Sequence, residues 1–272
     1  MENQWRKSMN RLVEEIMASN ANMAFWWLGQ LGYVVKITGV TVYIDVFFSD
    51  YPGRRLSPLI AAAEVVNADI VMGTHDHADH IDRKAWKEIA KASPQAVFVA
   101  PNKLIKALSH ELDIPLERFT GVDDGETVNI KGLSITGIAA AHEFLDRDPE
   151  TGSYPYMGYS VSDGKRRFFH SGDCCIYDGL ADKIERCGKP DIMFLPINGR
   201  DAKRYLSGCI GNMTFQEAVD LAGRIRPGLA VPGHYDMFAH NAGNPDEFVD
   251  YLNAKYPGIK SWVGQHGKGV TK

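Results

Sequence analysis

The sequence lacks the marks of several large protein classes. Only four residues are cysteine, Cys174, Cys175, Cys187 and Cys209, and none forms a C-x-x-C pair. That argues against a disulfide framework and a thiolate zinc site, and leaves free thiols of the buried kind, compatible with a reducing compartment. No run approaches the roughly 20 apolar residues that a membrane-spanning helix needs. The first residues, MENQWRKSMNRLVEEIMASN, alternate charged with apolar side chains and show no secretory pattern. A cytoplasmic protein without a membrane partner is expected. Lys and Arg number 30 against 34 Asp and Glu, giving a net charge of −4. Without a basic excess, nucleic acid is not an expected partner. A small anionic substrate stays compatible, because local cations or a metal can hold one. No G-x-S-x-G stretch occurs, so the sequence offers no serine nucleophile elbow.

What is present is an ordinary globular composition, 44% hydrophobic and 24% charged over 272 residues. A chain of this length buries a core without disulfides. No repeat, low-complexity tract or linker divides it, so one domain over 1–272 is expected. Residues 4–18 form a predicted amphipathic helix, with Trp5, Met9, Leu12, Val13, Ile16 and Met17 at helical spacing. The segment 25–48 is aromatic and β-branched, punctuated by Gly29, Gly32 and Gly39, and predicts three short strands. Further strands are predicted at 69–73, 96–100, 126–130, 133–140, 157–162, 166–170, 191–195 and 229–232. Helices are predicted at 83–92, 102–110, 215–226 and from about 245. Thr214 and Glu217 have capping-box spacing, and Asn244 precedes Pro245 as a cap before a first-turn proline. Strands precede helices in each half, an order satisfied by two packed sheets with helices on their outer faces.

The chemistry concentrates in VMGTHDHADHID, residues 71–82. Imidazole and carboxylate donors suit zinc, iron or manganese. The spacing H-x-H-x-D-H can give His75 and His77 to one ion, and Asp79 and His80 to another. One cluster cannot complete two sites, so further ligands are sought just after apolar segments. His142 follows LSITGIAAA, Asp173 follows RRFFHSG, and His234 follows LAVPG. Among the other histidines, His110 reads as solvated and His170 as a support for a ligand or the backbone. His240 and His266 lie in glycine-containing loops that can line a pocket. Asp76 is expected to orient a histidine.

THDHADH, followed in order by SGD and PGH, resembles the signature of the metallo-β-lactamase superfamily. The resemblance implies an α/β fold, a four-layer αββα sandwich with the metals at one edge of its two sheets. It also implies that His75, His77 and His142 form one site and Asp79, His80 and His234 the other, with Asp173 bridging. More narrowly, FWWLGQLGYVVK, THDHADHID, FHSGD, NMTFQEA and WVGQHGKG together resemble the L-ascorbate-6-phosphate lactonase family. That resemblance implies a lactone substrate and a homo-oligomer.

One or two divalent ions per chain are therefore expected, zinc or manganese first, with iron also compatible. A bound ion lowers the pKa of its water from 15.7 towards about 7, so the expected reaction is hydrolysis of a carboxylic ester, lactone or phosphate ester. Asp79 and Asp173 are the expected catalytic carboxylates. Asn198, Arg200, Tyr235 and His240 are the expected substrate contacts, with Lys203 and Arg204 beside Arg200 to meet a phosphate. The leading expectation is a lactonase acting on a phosphorylated sugar-acid lactone such as L-ascorbate 6-phosphate, with little activity on β-lactams. The alternatives are a phosphodiesterase or phospholipase-type hydrolase, and a non-hydrolytic metal-binding redox or sensing protein.

Overall fold

Strands whose side chains are buried on both faces must be covered from both sides, and that requirement organises this chain. The computed structural model describes residues 10–272. Strands β1 (Met23–Trp27), β2 (Tyr33–Ile37) and β3 (Val40–Ile44) form an antiparallel meander. β4 (Ile70–Met72), β5 (Val97–Pro101) and β6 (Phe119–Val122) extend it in parallel. The C-terminal β13 (Gly269–Thr271) pairs with β1 and completes a seven-stranded sheet.

The second sheet has six strands in the order β12-β11-β10-β9-β8-β7. β7 (Thr127–Ile130), β8 (Leu133–Ala139), β9 (Met157–Ser162) and β10 (Arg167–His170) run antiparallel in turn. β11 (Ile192–Pro196) and β12 (Ala230–Gly233) then add in parallel. β8, β10, β11 and β12 consequently point the same way, and their C-terminal ends share one edge.

Three apolar layers hold the sheets and helices together. Between the sheets, Phe25, Tyr33 and Met72 pack with Tyr159, Phe168 and Phe194; the Tyr33 and Phe194 rings lie 4.0 Å apart. Outside the first sheet, α1 (Arg11–Ala18), α2 (Arg83–Ala92) and α3 (Ile105–Leu112) set Ile16, Trp86 and Leu108 against Trp26, Tyr43 and Phe98. Outside the second, α4 (Leu180–Cys187), α6 (Phe215–Ile225) and α7 (Pro245–Lys255) set Ile184, Val219 and Phe248 against Phe169, Met193 and Leu195. A short helix, α5 (Ala202–Leu206), follows β11. The architecture is the αββα sandwich, and each large side chain in these layers contributes about 1.5–3 kcal/mol on burial.

Several elements differ from expectation. The N-terminal helix starts at Arg11, with Asn10 as its cap; Trp5 and Met9 lie outside the described residues. Val13 and Ile16 pack on the chain's own first sheet. The helix expected at 102–110 begins as a 3-10 turn, Asn102–Leu104, and continues to Leu112. β6, β13, α4 and α5 were not expected: β6 carries Gly121 within its short apolar run, and β13 is a strand only through pairing with β1 far away in sequence. The helix starts at Thr214 and Asn244 follow their local chemistry. Thr214 and Glu217 make the reciprocal capping bonds, and Asn244 accepts from the Asp246 amide. All four cysteines are free thiols, with Cys174 and Cys175 buried. Among the described residues, no helix is long and apolar enough to cross a membrane.

Candidate metal centre

The ligand-rich loop leaves β4 at the sheet edge and ends at α2. Its turn is tight: a Cβ on Gly73 would come within 2.4 Å of the Ile81 side chain. Inside it, the His80 and Ile81 amides both donate to the His77 carbonyl, at 3.1 and 2.8 Å. Asp82 closes the loop by capping α2 through the Ala85 amide. The same carboxylate accepts from the Phe48 and Ser49 amides at 2.9 and 2.7 Å, tying the loop to the segment after β3.

The ends of β8, β10 and β12 bring His142, Asp173 and His234 to this loop. Donor atoms of His75, His77 and His142 lie within 4.8 Å of one another, as do those of Asp79, His80 and His234. Asp173 stands between the two sets. Its Oδ2 is 3.1 Å from His234 Nε2 and 3.7 Å from His142 Nε2, and its Oδ1 is 3.4 Å from His80 Nε2. His234 adopts a left-handed backbone, with φ 59°. A non-glycine residue there is uncommon and is held by its surroundings. The His234 amide donates to the Gln30 carbonyl at 2.8 Å.

The residues fit a metal on two grounds. First, the histidines are turned by contacts on their far nitrogens. His80 Nδ1 donates to Asp45 at 2.7 Å, His142 Nδ1 to the Gly211 carbonyl at 3.1 Å, and His75 Nδ1 faces the Thr74 hydroxyl at 3.0 Å. Such contacts fix the tautomer that leaves Nε2 bare as a ligand. Second, His80 Nε2 and Asp173 Oδ1 are buried without a hydrogen-bond partner among the described residues, an expensive arrangement unless another group serves them. An ion with ligand distances of about 2.0–2.2 Å requires donors in this range of separations.

The electrostatics agree. Burial opposes charge on His80, yet Asp173, Asp79 and Asp45 outweigh it and push its pKa up to about 10. Burial alone would lift Asp173, but His234 and His80 hold it well below the usual carboxylate range. Burial, then the charge of His80, pushes His75 well down. Three carboxylates around one buried imidazole favour added positive charge, which a divalent ion supplies. The donor set suits zinc, manganese or iron.

The remaining candidates fall differently. A cleft of about 260 Å³ opens beside the ligands, lined by Phe47, Tyr51, His77, Ala78, Asp79, Phe238, His240 and Asn241. Of the four expected substrate contacts, His240 alone lines it. Asn198 is buried behind it and donates to Asn241 Oδ1 at 2.8 Å. Tyr235 stacks on Trp27, with ring centres 5.1 Å apart. Arg200 makes two bonds to Glu217, at 2.6 and 2.7 Å, and one to the Asn212 carbonyl at 3.0 Å. Arg204 donates to the Asn198 and Ala242 carbonyls, and Lys203 is exposed.

Asp76 pairs with Arg83 at 2.6 Å; Asp45 is the carboxylate that orients a histidine. Sequence reasoning missed Asp45, although an acid directly after an apolar strand carries the same mark as Asp173. It also missed Gln30, whose Nε2 reaches Asp79 Oδ2 at 2.9 Å and His234 Nε2 at 3.2 Å. His170 bonds the backbone at Leu31 and Gly172. His266 pairs with Asp236 at 2.5 Å and stacks on Trp27.

Fold and donor set together define a metal-dependent hydrolase of the metallo-β-lactamase type. The pattern of the beta-lactamase superfamily domain matches residues 41–235. A UPF0173 metal-dependent hydrolase of Methanopyrus kandleri is 30% identical over 232 residues, covering 83% of this chain and 90% of its own length. Another, from Sulfolobus acidocaldarius, is 29% identical over 245 residues, covering 90% and 97%. The solved structure of Igni18, a metallo hydrolase from Ignicoccus hospitalis, superposes with a TM-score of 0.72 at 22% identity, covering 91% of this chain and 97% of that one. The chain belongs to the beta-lactamase superfamily and, within it, to the UPF0173 metal-dependent hydrolases.

Proposed function

We propose that this chain hydrolyses an uncharged carbonyl ester, with a lactone as the foremost substrate type. The observation that carries this reading is the cleft beside the two donor sets. It is lined by His77 from one set and Asp79 from the other, and among the described residues no Lys or Arg lines it. A substrate whose reacting group is neutral needs no cation from the protein.

His75, His77 and His142 would hold one ion, and Asp79, His80 and His234 a second, with Asp173 shared. When bound, such ions acidify a water and polarise the substrate's oxygen. The protein's part is to fix positions and move the proton. Burial would raise Asp79, but His80, His234 and the Gln30 amide lower it, so it stands ionised. Lining the cleft, it can take the proton that the water loses and return it to the leaving oxygen. His240, which also lines the cleft, can donate to a substrate oxygen.

The phosphorylated sugar lactone implied by the resemblance is a narrower form of this proposal. Arg200, its expected anchor, is engaged by Glu217, so the reading favours the lactone ring without the phosphate. An uncharged reacting group also sets the ester above the phosphodiester alternative. The test is a hydrolysis panel with zinc- or manganese-loaded protein: lactones, aryl esters, a bis-aryl phosphodiester and a β-lactam. Turnover of lactones or esters supports the proposal, and turnover of the diester alone replaces it with the phosphodiesterase reading.

A further inference from the structure

We infer that the cleft is a binding site for an aromatic or short alkyl arm of the substrate, selected by Phe47, Tyr51 and Phe238. For the bond that reacts, this rests on the ester-hydrolase reading; for what the cleft binds, it stands on the cleft itself.

These side chains belong to none of the three structural layers. Phe47, Met237 and Phe238, with Leu56 against them, form a separate apolar cluster at the sheet edge. Their rings meet edge to face: Phe47 and Tyr51 are 5.8 Å apart at 65°, and Tyr51 and Phe238 are 5.9 Å apart at 76°. Tyr51 is 50% exposed, so half of a large ring is left against solvent at the mouth of the metal centre. Ordinary packing does not call for that placement, and an incoming ring would cover it.

The walls are fixed before any ligand arrives. Asp82 holds the Phe48 and Ser49 amides, so the metal loop and the first aromatic wall move together. The Arg55 amide donates to the Met237 carbonyl at 2.9 Å, joining the first wall to the second. Arg54 lies 4.7 Å over the Phe47 ring and donates to the Ser49 carbonyl at 2.9 Å. These contacts stiffen the wall, and Arg54 is not among the lining residues. A preorganised apolar wall spends little binding energy on ordering itself.

Charge and size narrow the ligand. Among the described residues, the only carboxylate lining the cleft is Asp79, and no Lys or Arg lines it. A phosphate or carboxylate arm between the rings would meet Asp79 without a protein counter-cation. The volume of about 260 Å³ exceeds the roughly 150 Å³ in which a protein cavity holds benzene. It falls just under the usual range of about 300–1,000 Å³ for drug-sized ligands. One ring, or an alkyl chain of similar bulk, fits between the walls with the reacting carbonyl at His77 and Asp79.

The test compares 4-phenylbutyrate with butyrate, which share a carboxylate head and differ in the arm. Binding to zinc-loaded protein is measured by calorimetry on the wild type, Tyr51→Ala and Phe238→Ala. We expect the phenyl group to tighten binding roughly tenfold or more in the wild type, and most of that gain to be lost in each variant. Tyr51 lies at the surface, so its variant decides the matter if Phe238→Ala fails to fold. Equal affinities in the wild type overturn the inference, as does a phenyl gain undiminished in Tyr51→Ala. So does 6-phosphogluconate binding more tightly than gluconate by a similar factor. Hydrolysis of γ-phenyl-γ-butyrolactone and γ-butyrolactone is followed in parallel. If neither turns over while the phenyl preference and its loss in the variants stand, the ester-hydrolase reading fails and the aromatic site remains.

Discussion

Replacing Asp45 by Asn should weaken one metal position without unmaking the fold. Asp45 is fully buried after β3 and has φ 49°. Asn tolerates that backbone region well, so the substitution isolates the change of charge. Asp45 accepts from the Thr74 amide at 2.8 Å, the Thr74 hydroxyl at 2.7 Å and His80 Nδ1 at 2.7 Å. An Asn can keep the amide bond through its oxygen, but its NH2 would then face His80. The imidazole then has reason to place its proton on Nε2, the nitrogen it must present bare to the ion. Losing an orienting partner of this kind typically costs 10–100-fold in metal affinity, or about 1.4–2.7 kcal/mol. The charged hydrogen bond itself is worth about 1.5–3 kcal/mol of stability in the metal-free protein. Stepwise titration against a competing chelator reads the first quantity, and urea denaturation without metal reads the second. The step that fills the His80 position should weaken most, because His75 is linked to Asp45 only through the Thr74 hydroxyl, and His77 and His142 make no contact with it. Two binding steps with wild-type constants in a folded Asp45→Asn protein would refute this account of His80.

Removing metal should lower the melting temperature. An ion held at one hundred times its dissociation constant contributes about 2.7 kcal/mol, which for a chain of this size is about 5–10 °C; calorimetry with and without chelator checks it. Arg200→Ala should lower kcat/KM by similar factors for neutral and phosphorylated substrates. Arg200 ties Glu217 to the Asn212 carbonyl, next to the Gly211 carbonyl that orients His142. A rise in KM confined to the phosphorylated substrate would return Arg200 to the role of anchor. Self-association is also expected, since Phe144 and Leu206 are 73% and 91% exposed and apolar surface of this kind seeks cover. Sedimentation should show a species heavier than one chain, reduced by Leu206→Glu.

The donor groups that meet at the sheet edge were legible because their chemistry is dense and local. Four lie within His75–His80, and the other three each follow an apolar strand. The sandwich was legible because the strands of both sheets carry apolar runs and the helices carry caps. What the sequence hid depends on partners distant in the chain. Glu217 announced itself as a capping residue, yet nothing local reveals that Arg200, 17 positions earlier, is bound to the same carboxylate. Asp76 and Asp45 exchange roles for a similar reason: Arg83 claims the first, while β3 lying beside β4 delivers the second to His80. The cleft was hidden because Phe47 and Tyr51 meet Phe238 only when the segments after β3 and β12 come together.

The most direct measurement is the rate of lactone hydrolysis by metal-free protein as zinc or manganese is added back, run beside Asp173→Ala. Asp173 lies between both donor sets, so the account predicts a rate that rises with metal and saturates, and no turnover by the folded variant at any metal concentration. Hydrolysis that is independent of metal, or retained by Asp173→Ala near the wild-type rate, would contradict it.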